Sequence, residues 1–433
     1  MSHVSGNFAL PRTLRVATSM LALALMLLFA APQAAHAQTF KVIHDFTGGA
    51  DGANPYAGLA RVGANSFYGT ADFGGTAGQG TVFLLTPSGS NWSLTPIYSF
   101  QGGLDGAQPF SAITIGPDGA LYGVTENGGG FGCNGVGCGT VYSLRPSATL
   151  CRTANCAAWK ETLLVQFQGG DDGGDPYGAL IFDQAGTIYG ATQIGGTSQE
   201  CIPAGIGCGT AYTLSRNGNT WTKTVIWSFG QGLGGIEPFN GLVRDNSGNL
   251  YGTTFVGGQH QEGTVYQLTQ GQSGWTENDL YSFQGANDGG LPYVGLIFDQ
   301  SGKLYGAASD AGSAAGGTVF ELTHSGSNWT YNTLYGLTDP NGAECGPFGT
   351  LVMDGAGNLY GTTRCDGVNH SGSVFKLTKS GNTWTYTSLH DFTGGTDGGN
   401  PYSSLVFDSN GNIFGTASQG GAHSMGVAFE ITP

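Results

Sequence analysis

Val42-Ile43-His44-Asp45-Phe46, near the start of the chain, carries the same apolar-His-Asp-Phe ending as Leu389-His390-Asp391-Phe392, near its close. In both cases a proline follows nine residues after the phenylalanine, at Pro55 and Pro401, and Phe100 stands at the same distance before Pro109. From Pro55 onward a proline followed fourteen residues later by a glycine occurs seven times, at Pro55/Gly69, Pro109/Gly123, Pro176/Gly190, Pro238/Gly252, Pro292/Gly306, Pro347/Gly361 and Pro401/Gly415. Repeats of this length mean that one supersecondary unit is copied and stacked. The seventh copy stops at Pro433 after Val427 to Thr432, without its last segment. The stray copy at Val42–Phe46 supplies that piece, so the two ends of the chain complete one sheet and close a ring. Closure removes the open ends that a linear solenoid would have to cap.

Within one unit four strands are legible. Gly241 to Asp245 is a short strand, ended by the turn residues Asn246-Ser247-Gly248-Asn249, and Leu250 to Thr254 is the second. A glycine-rich loop leads to Gly263–Thr269, whose alternation fits a half-buried strand, and Trp275 to Phe283 is the fourth. The predicted fold is all-β: a seven-bladed β-propeller with four antiparallel strands per blade, the last blade closed by the N-terminal strand. A linear β-solenoid is the other reading, and the split repeat argues against it. The interval from the repeat glycine to the glycine opening the third strand is eleven in five units but sixteen at Gly139 and nineteen at Gly209. These variable stretches read as surface loops on a rigid scaffold.

Residues 1–37 read as a secretory signal peptide: Arg12 and Arg15, an apolar run from Val16 to Ala31, and the cleavage signal Ala35-His36-Ala37. Residues 38–433 then form a single propeller domain, destined for the extracellular space or the periplasm. The net charge is −15, and the leader holds two arginines and no acid, so the exported chain is more acidic still. That balance argues against nucleic acid and anionic membrane partners. No membrane span and a monomeric state are expected. The chain ends at Ile431-Thr432-Pro433 without an anchor tail. Eight cysteines fit an oxidising compartment, and their close pairs Cys133/Cys138, Cys151/Cys156, Cys201/Cys208 and Cys345/Cys365 are the predicted disulfides.

In a propeller of this connectivity the loop before each first strand and the loop joining the second and third strands share one face. Five of the loops before the prolines carry an aspartate, at Asp51, Asp105, Asp172, Asp288 and Asp397. Such a ring of carboxylates can bind a cation such as calcium, while the alternative is a turn in which each aspartate bonds its own backbone. His260, Glu262, His370 and His423 fall in variable loops of the same face, as candidate acid-base or binding groups or as plain exposed loop residues. Arg61 and Arg244 break the apolar pattern of the innermost strands and are candidates for a channel site, or line a wet channel. No catalytic residue, metal ligand or cofactor is assigned.

Gly-x-x-Pro-Tyr-x-x-Leu, followed by Asp-x-x-Gly-Asn-Leu-Tyr-Gly-Thr-Thr as at Asp354 to Thr363, and by Gly-Thr-Val-Phe-x-Leu-Thr as at Gly317 to Thr323, resembles the GloVer tandem-repeat family of exported bacterial proteins. The resemblance covers nearly the whole chain beyond the leader. It implies export and a repeat scaffold, and brings no activity with it. Three functions stay open: a secreted binding module for protein or glycan acting through the variable-loop face, an enzyme of lyase or hydrolase type at the channel mouth, and a structural extracellular protein.

Overall fold

The computed structural model describes residues 38–432 apart from 131, 148–158, 199–200, 202–206, 327, 339–344 and 382. The leader lies outside the described residues. Seven four-stranded antiparallel sheets follow one another along the chain as the blades of a propeller. The seventh consists of Val406–Phe407, Ile413–Ala417, Val427–Thr432 and, outermost, the N-terminal strand Thr39–Asp45. Ring closure is further held by bonds from the Phe46 amide to the Gly426 carbonyl (3.0 Å) and from the Asn54 amide to the Met425 carbonyl (2.8 Å). No helix among the described residues is long and apolar enough to cross a membrane.

The expectation of four disulfides is met for three of them, Cys133–Cys138, Cys201–Cys208 and Cys345–Cys365. The fourth differs. Cys151 and Cys156 lie outside the described residues, so a bridge between Cys151 and Cys156 rests on the sequence alone.

The repeat residues are the contact points of this architecture. A Cβ at Gly69 would lie 2.4 Å from the third-strand phenylalanine ring of its own blade, at Gly123, Gly190 or Gly252 2.4 Å from the third-strand tyrosine hydroxyl, and at Gly306, Gly361 or Gly415 2.6 Å from a phenylalanine ring. Glycine is kept there because Phe83, Tyr142, Tyr212, Tyr266, Phe320, Phe375 and Phe429, all fully buried, occupy the space a side chain would need. The proline has a matching role between blades. Pro109, Pro176, Pro238, Pro292, Pro401 and Pro55 each press on the glycine opening the third strand of the preceding blade, Pro55 on Gly426 across the seam. Threonines of the second strands add stitches: Thr70 to the Ser111 carbonyl, Thr253 to Val294, Thr362 to Ser403, and Thr416 across the seam to Pro55 and Ala57.

The first strands differ from the expectation of a continuous five-residue strand. Each pairs with the second strand over only two or three residues, as Val243–Arg244 does with Leu250 and Tyr251. A separate contact higher up joins the same two chain segments: Ala53 with Phe73, Ala107 with Asn127, Gly174 with Ile194, Ile236 with Val256, Gly290 with Asp310, Pro347 with Thr363, and Gly399 with Gln419. Between the two contacts the inner segment is always two residues longer than its partner; in blade 1 the step from Ala53 to Ala60 faces that from Phe73 to Tyr68. Every inner strand is therefore bulged, and a bulge re-aims side chains away from the sheet.

Phe46, wholly buried against Phe83, should act as a core residue of the seam. Phe46→Ala is expected to cost about 3–5 kcal/mol, as much as Phe283→Ala at the equivalent place inside the chain. Denaturant unfolding of both variants checks this, and a negligible loss for Phe46→Ala alone would mean an undocked N-terminal strand.

Candidate functional site

The bulge begins at the residue before the proline in six blades and just after Pro347 in blade 6; seven residues stand directly before these prolines. Six of these seven residues hold a left-handed backbone without being glycine: Asn54, Gln108, Asp175, Glu237, Leu291 and Asn400, with φ from 50° to 59°. Such a conformation is costly for a side-chain-bearing residue, and proline after it restricts the choice further. In a chain with 79 glycines, side chains are retained where glycine would be unstrained. Strain of this kind concentrates at functional sites.

Directly after each proline stands an aromatic residue, and the bulge brings all seven together. Tyr56, Phe110, Tyr177, Phe239, Tyr293, Phe348 and Tyr402 form a closed collar in which each ring touches the next, with centroids 4.5–5.4 Å apart, Tyr402 returning to Tyr56 at 5.2 Å. They line a cavity of about 540 Å³, together with small residues of the inner strands such as Gly58, Ala112, Ala179 and Gly295. That size suits a small organic ligand. Phe255 enlarges the apolar side by packing on Tyr293 at 4.2 Å.

Charged groups stand at the mouth, three residues after each repeat glycine or one before each proline. Backbone bonds tie the two sets together within every blade, as from the Asp72 amide to the Asn54 carbonyl and from Arg364 to Gly346. Of the charged groups, Glu126 of blade 2 and Arg364 of blade 6 line the cavity, while Asp72, Asp175 and Glu237 of blades 1, 3 and 4 stand outside its lining; the Arg364 guanidinium lies 5.6 Å from the Phe348 ring and 5.7 Å from that of Tyr402. Burial, then repulsion from Glu126, pushes the Asp72 carboxyl up to about 7 despite a bond from Gln108. Burial and the same neighbour raise Asp175 to about 6. Burial also raises Glu126, against a hydrogen bond from Tyr177. Asp72 is only 4% exposed, and its Oδ1 has no partner; the buried Nε of Arg364 has none either.

The described disulfides brace this rim. Cys138, bonded to Cys133, offers its carbonyl to the Asp175 amide at 2.9 Å, and Cys208, bonded to Cys201, offers its carbonyl to the Glu237 amide at 2.8 Å. The Cys345–Cys365 bridge clamps Arg364 between Cys365 and the backbone of Gly346. Cys138 and Cys208 are also buried members of the blade cores, so these bridges tie the charged rim to the core.

None of the residues singled out from the sequence lines this cavity. Asp51, Asp105, Asp172, Asp288 and Asp397 each accept the amide four residues earlier, at 2.7–3.0 Å, and turn toward the outer strand. His44 meets Asp51 and His390 meets Asp397 at 3.0 Å, Tyr281 donates to Asp288, and Lys223 pairs with Asp172. The turn reading describes these carboxylates: they close their own loops, separately, rather than converging. His260, His370 and His423 are exposed and lie on three different blades, while Glu262 packs under Gly285 and Gly290. Arg61 is exposed and reaches the Phe407 carbonyl of blade 7. Arg244 lines a second cavity of about 230 Å³ at the opposite end of the inner strands, with Asp245, Asp299, His324 and Trp329. Those aspartates are bonded to hairpin amides, as Asp245 is to Ser247 and Asn249.

The described structure is a seven-bladed β-propeller with an aromatic axial cavity and a charged, disulfide-braced mouth. The chain belongs to the Gloeobacter/Verrucomicrobia repeat family, whose profile matches residues 32–202 and 204–429. No curated protein sequence matches it. Among solved structures it is similar to a proposed 6-phosphogluconolactonase from Bacteroides uniformis, at 15% identity and a TM-score of 0.52, over 87% of this chain and 99% of that one. It is also similar to a fungal alcohol oxidase of the AA5 family in complex with copper, at 13% identity and a TM-score of 0.50, over 91% of this chain and 76% of that one. At such identities the likeness concerns the fold alone.

Asp72 gives the mouth a pH signature. Its carboxyl keeps a proton up to about pH 7 in the folded chain, against the ordinary value of 3.8. The folded state binds more protons between those values, so this group's contribution to stability is full below about pH 4 and falls as pH rises to about 7. Asp72→Asn removes the fall, and its gain in melting temperature over the parent should grow from about pH 4 to 7 and then level off. Thermal unfolding across that range checks it; a difference independent of pH would contradict it.

Proposed function

We propose that the protein, once exported, is a binding module that takes a small organic ligand, or the end of a glycan or protein chain, into the axial cavity on the variable-loop face. The observation that carries this reading is the closed collar of seven aromatic rings about a cavity of ligand size. Aromatic rings present large apolar faces whose position is fixed by little side-chain entropy, and the collar packs each ring against two neighbours. Bound material needs no ordering of the site, because bulges and disulfides already hold the rim. The three disulfides among the described residues accord with an oxidising, extracytoplasmic setting.

An enzyme of lyase or hydrolase type is the second reading, favoured by one observation. Asp72 and Asp175, raised to about 7 and about 6, flank Glu126, a range in which carboxyls can exchange protons near neutral pH. Turnover of a bound ligand with a pH profile that collapses in Glu126→Gln would replace binding by catalysis.

A panel of small glycans and peptides titrated into the protein by calorimetry and intrinsic fluorescence tests the first reading. Phe239→Ala, which removes a ring touching Tyr177 and Tyr293, should weaken binding at least about tenfold, the scale of one buried aromatic anchor. Val136→Ser, at an exposed position of the variable loop and with both cysteines kept, should leave affinity nearly unchanged. The reverse pattern would move the ligand from the axis to the loops.

A further inference from the structure

We propose that the axial cavity takes a zwitterion of di- or tripeptide size, its ammonium end on Glu126, with Asp72 and Asp175 as neighbouring carboxyls behind the lining, and its carboxylate end on Arg364. The proposal rests on the axial reading above and adds the chemistry of the ligand.

The charges at the mouth are segregated rather than mixed. In a ring of seven, blade 6 faces the gap between blades 2 and 3, so Arg364 stands across the axis from Glu126 and Asp175. Tyr56, in the collar, feels both sides: Asp72 and Glu126 push its hydroxyl up while Arg364 pulls it down, burial being the larger cause of its net rise. The two sides are not joined by an ion pair to each other among the described residues. A ligand with opposite charges at its two ends would join them.

Each side also has a vacant hydrogen-bonding atom. Asp72 is 96% removed from solvent, yet its Oδ1 accepts nothing, while its other interactions go to Gln108 and, repulsively, to Glu126. An orphaned buried acceptor is costly and asks for a donor. The buried Nε of Arg364 is an orphaned donor and asks for an acceptor. An ammonium has three donors and no acceptor, and a carboxylate has only acceptors, so the two ends of a zwitterion match Glu126 and Arg364, the charged groups of the lining, in sign and in hydrogen-bond polarity. The collar between them suits an apolar middle, and its ring faces attract an ammonium in their own right.

Other ligands match less well. Among the described residues no set of three His, Cys, Asp or Glu side chains is placed to hold a metal ion, and Glu126 is the one carboxylate in the cavity lining, fewer oxygens than a metal ion takes from a protein site. A polyanion would meet one arginine and four acids. A neutral sugar would leave both vacant atoms facing hydroxyls and the carboxyls still repelling one another.

Calorimetry with alanyl-phenylalanine, its N-acetyl derivative, its C-terminal amide and cellobiose tests the assignment. The free dipeptide is expected to bind, and acetylation or amidation to weaken it at least about tenfold each, a loss typical of leaving a buried charged partner unpaired. In the Asp72→Asn, Glu126→Gln double variant the N-acetyl penalty should vanish and the amide penalty remain. Arg364→Gln should do the converse, with Arg364→Lys as the variant that retains the charge if Arg364→Gln does not fold. Equal binding of free and blocked dipeptides would overturn the zwitterion while leaving the axial site in place. If no dipeptide form binds, the zwitterion also falls; cellobiose binding that is lost in Phe239→Ala would then keep the axial reading, and cellobiose binding indifferent to that change would remove it.

Discussion

The whole arrangement depends on one strand from the start of the chain lying beside one from its end. Thr39–Asp45 pairs outside Val427–Thr432, Phe46 enters the core next to Phe83, and Pro55 sits on Gly426. Without that seam, seven sheets would make an open arc whose terminal blades expose unpaired edges and apolar faces. With it, the inner strands are forced into a circle and the residue after each proline must point to a common axis. The aromatic collar is thus a consequence of closure, because no two of its members beyond neighbours need contact one another for it to form.

Closure explains the axis but not the charged rim, which comes from local backbone. The bulge of two residues in every inner strand detaches the chain from its sheet just where proline withholds an amide. The left-handed residue before it then carries a side chain over the mouth. Acids collect on blades 1 to 4 by substitution at two repeat positions, and Arg364 arises at one of the same positions on blade 6. Burial first, and repulsion from Glu126 second, make Asp72 and Asp175 hold protons above the usual carboxylate range. Disulfides placed one hydrogen bond from Asp175 and Glu237, and one peptide from Arg364, keep this repulsion from splaying the loops.

The repeat spacing made blade number, strand order and the seam legible, since proline, glycine and phenylalanine mark contacts that tolerate no change in length. Two loop disulfides, Cys133–Cys138 and Cys201–Cys208, were legible by pairing within insertions, and Cys345–Cys365 by the face its two cysteines share; the pair Cys151 and Cys156 falls outside the described residues. The site was not legible. Attention to residues that break the repeat pattern selected Arg61 and Arg244, which lie toward the far end of the inner strands, and attention to recurrence in the entry loops selected the aspartates, which serve their own turns. The collar was hidden by its regularity: an aromatic after every proline reads as core packing until the bulge is known. Asp72, Glu126 and Arg364 were hidden for the opposite reason, as unlike residues at one position whose common direction depends on a bend that no hydrophobic period reveals.

Native-state hydrogen exchange, resolved by residue, addresses the seam most directly. If the N-terminal strand is an integral member of the last blade, amides of Lys41 to Asp45 engaged in the ladder should exchange only with global unfolding, in step with those of Val427 to Ile431. Rapid exchange of the first group while the second stays protected would mean that the ring is not closed by this strand, and the common axis on which the collar and its ligand depend would lose its basis.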